Sequence, residues 1–259
     1  MTRPTLGHST TGALPLLFFL LSLSPLSLSF AASPPTDSLC SRAEFLLFNR
    51  HQGRAWLDSA YRVLASAHRA DPANERCLYL WSRVHIQRGD DAATSAEKLR
   101  LYTLSRAVAE TLITRNERNP LGHTWWAVAH GRIGQTRGVL NSLFMVPALR
   151  KAINRAIELD PKQPTALDVL GVLHYELPGF AGGDLYKSEG YLQRGIAADP
   201  DYTLLRLDLA KVYIRQKRWV GARTQLDRLL ATKNPTYPAD FALDDKPEAE
   251  SLLRSIAGK

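Results

Sequence analysis

Five times along this chain an Asp or Asn is followed directly by proline: Asp71-Pro72, Asn119-Pro120, Asp160-Pro161, Asp199-Pro200 and Asn234-Pro235, at intervals of 48, 41, 39 and 35 residues. Proline lacks a backbone donor and clashes with the turn before it, so each pair stops one helix and suits the first turn of the next. Helix breaks recurring at such intervals mark stacked helical repeats, in which each unit buries its apolar face only against its neighbours.

The residues around the breaks agree with that reading. Five, eight and twelve residues before the proline stand Ala67, Leu64 and Ala60 in one unit and Gly195, Leu192 and Ser188 in another. Small, large, small on one face is what two closely packed helices need. The third unit keeps Ala156 and Ile153 but has Leu149 at the small position, and the last fits only after a one-residue slip, as Ala222 and Leu226. Nine, ten and thirteen residues after the proline come Trp81, Ser82 and His85; Ala129, His130 and Ile133; Leu170, Gly171 and His174; Leu209, Ala210 and Tyr213. That spacing lies on one helical face with a small middle residue, except for His130.

The pattern predicts paired helices at 39–51 with 54–69, 74–87 with 91–117, 121–133 with 138–158, 164–175 with 184–197, and 203–216 with 219–232, closed by a capping helix near 246–257. The stretch "KNPTYPADFALDDKP", with three prolines and no apolar period, reads as an ordered loop crossing to that cap. The expected organisation is a leader (1–31), an N-terminal segment with the first helix (32–53), a repeat domain (54–235), and a linker with the capping helix (236–259).

Helix ends at Asp-Pro, small residues at fixed offsets and a period somewhat above thirty resemble tetratricopeptide repeats with insertions. More narrowly, "HTWWAVAHGRIGQTRGVLNSLFMVPALRKAINRAIELDP", "GVLHYELPGFAGGDLYKSEGYLQRGIAADP" and "RLDLAKVYIRQKRW" resemble two related groups. One is the T-component family of tripartite ATP-independent periplasmic (TRAP) transporters; the other is the regulator-of-microtubule-dynamics family. The resemblance covers roughly residues 54–257. It implies an all-α stack of tetratricopeptide-like hairpins acting as a binding or scaffolding module. Its partner would be another protein, in the first group a periplasmic substrate-binding component, or a small organic ligand.

At the N-terminus, Arg3 precedes the apolar run "ALPLLFFLLSLSPLSLSFAA", and Ser29-Phe30-Ala31 places small residues at the two positions a signal peptidase reads. Export to the periplasm or the exterior with cleavage near Ala31 is expected. An uncleaved anchor is the alternative, because Ala13 to Ala32 approaches the length of a bilayer span. In an oxidising compartment the only two cysteines, Cys40 and Cys77, form a disulfide or stand as small buried apolar residues.

The net charge of +8 is spread along the chain, and the acid-free stretch from Gly131 to Lys151 holds only Arg132, Arg137, Arg150 and Lys151. A nucleic-acid reader concentrates charge more strongly and interleaves aromatic residues, so none is expected as a partner. No phosphate loop, nucleophile elbow or zinc motif is present, and no cofactor is implied. "GFAGGD" (179–184) reads as a lengthened turn with Asp184 capping the next helix. His85, His123, His130 and His174 lack metal-ligand spacing and read as packing residues, with Trp125 and Trp126 divided between core and groove. An enzyme would need Glu176 or Asp168 as its acid or base; a single carboxylate on a helix is weak ground for one.

A binding surface is expected on the stripe beside the buried face of each first helix, which stacking turns into a concave wall. Its members are Arg76, Tyr79, Arg83 and Ile86; Thr124, Ala127, Gly131 and Gly134; Thr165, Asp168, Val172 and Tyr175; Leu204, Leu207, Lys211 and Ile214. Arg76, Tyr79, Arg83, Thr124, Asp168, Tyr175 and Lys211 are the expected partner-binding side chains. The arginines suit a carboxylate-bearing or extended ligand, and Arg83, Tyr175 and Lys211 are expected to serve binding without being needed for folding. Such a stack can end in solvent or in a second copy of itself.

Overall fold

The structure, a computed structural model, describes residues 35–259; the expected leader lies outside them. Among the described residues the regular structure is helical throughout. Five antiparallel hairpins follow one another: α1 Thr36–Phe48 with α2 Trp56–Ala70, α3 Glu75–Asp90 with α4 Ser95–Arg115, α5 Pro120–Arg137 with α6 Val139–Leu159, α7 Pro164–Glu176 with α8 Leu185–Ala198, and α9 Thr203–Arg215 with α10 Trp219–Leu230. Each first helix also packs on the first helix of the next hairpin, which lines α1, α3, α5, α7 and α9 side by side on the inner face. None of the described helices is long and apolar enough to cross a membrane.

The helices start where polar side chains satisfy the orphan amides of a first turn. Asn74 accepts from the Cys77 amide, Thr94 from Glu97, Asn119 from Leu121, Gln163 from Ala166, and Asp184 from Tyr186 and Lys187. The small-large-small face is buried as expected: Ala60, Leu64, Ala67, Ser188 and Leu192 are solvent-free. Gly171 is obligatory, since a Cβ there would lie 2.7 Å from Leu192 Cγ. Across the first two hairpins, Cys40 on α1 and Cys77 on α3 form a disulfide with Cα atoms 5.6 Å apart.

The helix breaks correct the expected register. Asp71, Asp160 and Asp199 each follow the last residue of a helix and accept from the amide two residues on, at Ala73, Lys162 and Asp201. The prolines beside them therefore sit in the turn, before the next helix begins. In the second unit that role belongs to Asn116, which accepts from Arg118, while Asn119-Pro120 is the N-cap and first residue of α5. Counting from Asn116 moves the unit by three residues. Trp126, Ala127 and His130 then match Trp81, Ser82 and His85, so His130 is no misfit: every unit has a small, buried middle residue.

A second correction concerns residues 238–255, where a loop was expected before the cap. Pro238–Asp240, a π-helical stretch Phe241–Asp245 and α11 Lys246–Ser255 form one continuous helical run. The Lys246 amide donates to the Phe241 carbonyl five residues back. That widened turn interrupts the i to i−4 ladder just where Pro247 would break it, and so a sequence with internal proline stays helical.

Candidate functional site

The C-terminal run crosses in front of the inner face. Its end packs on α10, with Ala249 and Ile256 joining the core of Leu226 and Leu229, while its start packs on α1 and on the turn Arg50–Gln52. The last hairpin is thus tied to the first, and the concave face becomes a groove of about 740 Å³.

The tie is ionic and aromatic. Asp240 accepts from Arg50 at 2.5 Å and from Arg83 at 2.9 Å, and Asp244 accepts from Arg50 at 3.3 Å. The Arg83 guanidinium lies 3.7 Å from the Tyr237 ring centroid and 4.4 Å from that of Phe48. Both arginines are buried, so the carboxylates and ring faces replace the water they have lost.

Deeper along the groove a second cluster is acidic. On α9, Lys211 donates to Asp208, and across the groove to Glu248, both at 3.0 Å. Burial opposes the lysine charge, but the two carboxylates overcome it and raise its pKa. Asp245 accepts from the Thr203 hydroxyl at 2.6 Å, and burial pushes its carboxyl up to about 7 against that bond. Asp168 on α7 is 5% exposed; burial, then the neighbouring Asp208 and Asp245, hold its pKa well above the usual carboxylate range. Asp208 is raised as well, chiefly by burial. In all, nine carboxyl side chains line the groove against three cationic ones, Arg83, Arg132 and Lys211.

This sorts the expected binding residues. Asp168, Tyr175 and Lys211 line the groove, as do Ile86, Ala127, Gly131, Gly134, Thr165, Val172 and Leu204. Arg83 lines it too, but as the buried half of the tie, so it is part of the fold's closure rather than a free binding group. Tyr79 is half-buried and its hydroxyl accepts from Arg83 at 3.2 Å. Thr124 is fully buried and bonds to the Pro120 carbonyl, which removes it from any ligand. Arg76 is exposed and pairs with Glu44 and Ser41 of α1, joining two helices instead of facing the groove. Carboxyls outnumber cations on this lining, which does not favour the carboxylate-bearing ligand expected from the arginines. Four of the groove's carboxyls, Asp240, Asp244, Asp245 and Glu248, come from an acidic stretch masked by reading the segment as a linker; the other five stand on the repeats.

The histidines are engaged one by one. His85 accepts from the Trp81 indole at 2.6 Å, His123 meets the Glu117 carbonyl at 2.8 Å, His130 stacks on Trp126, and His174 meets the Gly182 carbonyl at 3.0 Å. Among the described residues no group of three or more His, Cys, Asp or Glu is placed to hold a metal. Trp125 is buried and lines the groove beside Arg83, while Trp126 is half-buried. Glu176 is exposed at the groove's edge.

Comparison with known proteins agrees with this architecture. Residues 47–180, just over half of the chain, match the family model of regulator of microtubule dynamics protein 1-3, and residues 180–240 match a tetratricopeptide repeat model. Regulator of microtubule dynamics protein 1 of Bos taurus is 26% identical over 169 residues, 58% of this chain and 52% of that protein. The Homo sapiens protein is 25% identical over 185 residues, 64% of this chain and 57% of its own. The chain thus spans about half the length of the curated relatives it matches. These relatives are named as regulators, not as enzymes or as transporter components. In fold, a thermophilic TPR protein of Thermus thermophilus superimposes with a TM-score of 0.60 at 18% identity, over 82% of this chain and 99% of that one. PilW, a type IV pilus biogenesis factor, does so at 0.52 and 14%, over 85% and 92%. With a helical-hairpin stack, tetratricopeptide units and that family match in place, the chain belongs to the regulator of microtubule dynamics protein 1-3 family.

Proposed function

We propose that this protein is a scaffold that holds an extended segment of a partner protein in its acidic groove. The observation behind this reading is the groove itself: about 740 Å³, walled by apolar side chains such as Ile86, Val172 and Leu204, and charged oppositely to the chain as a whole. Carboxylates facing a confined space draw a basic segment in and turn an acidic one away. The relatives' name describes a regulatory role of theirs; residues 47–180, which match their family, supply most of the concave wall. Placing a photo-crosslinking residue at Tyr175, inside the groove, and another at Val220, exposed on α10, tests the reading in the full chain in its native cells. Partners captured from position 175 and absent from 220 support it. Identical sets from both positions overturn it.

We further infer that the protein works outside the reducing cytoplasm, from the apolar leader and the Cys40–Cys77 bridge together. A place beside a solute transport system, with a periplasmic substrate-binding component as partner, is the finer form of this reading and rests on the resemblance alone. Mass spectrometry of the non-reduced protein from its native cells decides the compartment: two free thiols exclude an oxidising one.

A further inference from the structure

Building on the groove as a partner-binding surface, we infer that Asp168 forms a subsite for one organic cation, the ammonium of a lysine or the guanidinium of an arginine side chain. The other charged groups nearby are already matched. Arg50 and Arg83 hold Asp240, Lys211 holds Asp208 and Glu248, and Asp245 has the Thr203 hydroxyl. Asp168 is the exception: it is 95% buried, it lines the groove, and its Oδ1 has no hydrogen-bond partner. Buried carboxyl oxygens are rarely left without a donor, because the water given up is not replaced. Its charged neighbours are chiefly carboxyls, Asp208, whose side chain shares a hydrogen bond with it that favours its neutral form, and Asp245; Lys211 already holds Asp208 and Glu248.

A cation entering the groove would supply that donor and draw the carboxyl toward its charged form, and the surroundings define its chemistry. The described residues place no group of three or more His, Cys, Asp or Glu to hold a metal, and a single buried carboxyl beside apolar walls suits an organic cation. Val172 and Leu204 line the same groove and suit the methylene stem of a long side chain, and Tyr202 lines it beside them. A lysine or arginine carries a donor head on such a stem; a neutral apolar side chain has the stem without the head. The same head group also occurs on free amines, so the test separates the two sources.

Blocked nonapeptides differing only at a central residue, lysine, arginine, acetyl-lysine or norleucine, would be titrated into the full chain by NMR, with butylammonium chloride as the free amine. The lysine and arginine peptides are expected to bind at least about tenfold more tightly than the other two. Asp168→Asn should abolish that preference while leaving the melting temperature within a few degrees, and Glu176→Gln at the groove's edge should keep it. Equal affinity of the lysine and norleucine peptides overturns the subsite but leaves the groove as a peptide site. A preference that survives Asp168→Asn also overturns it. Asp168-dependent binding of butylammonium with no peptide binding upholds the subsite and assigns it to free amines, removing the partner segment. No binding by any cationic probe overturns the subsite, whereas the groove stands or falls by the crosslinking pattern.

Discussion

At the residue scale, one helical position carries an aromatic or histidine ring in four successive units: His85, His130, His174 and Tyr213. Each packs against a neighbouring ring or polar group, and for the histidines burial decides the titration. His85 is held neutral, pushed down to about 4 by burial and then by Arg88 and Arg100; His130 and His174 are lowered in the same direction, first by burial. A base lowered on folding loses stability as pH falls from its free value toward its folded one. Asp245, raised to about 7 by burial, does the reverse: its contribution is complete below the free carboxylate value and is lost as pH rises through 7. The two limbs overlap between about pH 4 and 6.5 and oppose each other there, so neither group alone sets the pH of greatest stability. Asp245→Asn should steepen the rise in melting temperature from about pH 4 to 7, and His85→Gln should remove part of that rise, in melting scans across pH. Variant profiles that run parallel to that of the unaltered protein over this range contradict the assignment.

At the scale of elements, α1 ends the stack, packing on α2 and α3 with a further contact to the C-terminal run. The Cys40–Cys77 bridge fastens it, closing a loop with a sequence separation of 37. In the chain-entropy picture such a loop contributes about 3–4 kcal/mol. Replacing both cysteines by alanine is expected to lower the denaturation midpoint accordingly, with the loss of protection in hydrogen exchange concentrated in α1. Equal exchange in α1 with and without the bridge would show that packing alone holds it. The C-terminal run makes a different point. Its π-helical turn lets one helix carry Pro247 and still present Asp240 to one partner set and Asp245 to another.

At the scale of the molecule, the tie from Asp240 to Arg50 and Arg83 turns an open stack into a closed groove. Removing the carboxylate leaves two buried cations without their main partner, a loss of about 3 kcal/mol or more. Asp240→Asn should therefore lower the melting temperature and, by small-angle scattering, increase the radius of gyration as the ends of the stack separate. An unchanged radius would mean that the apolar packing of α11 on α10 suffices to hold the run in place. This also corrects the expected role of Arg83: its alanine variant is predicted to fail in stability before it fails in binding.

The sequence by itself determined the helices, their pairing and the faces they bury, because those follow from local chemistry: where proline and Asx residues stop a helix, and which offsets carry small side chains. It misplaced the second unit by three residues because Asn119-Pro120 imitates a break that Asn116 makes, and only hydrogen-bond geometry separates the two. It also put Asp168, Tyr175 and Lys211 on the concave wall correctly, since a stripe on a stacked helix is a matter of period. What the tertiary structure alone decided is how acidic that wall becomes. Carboxylates from residues 240–248 reach it only because the chain turns back across its own repeats, and a contact between residues some 190 positions apart leaves no periodic trace in the sequence.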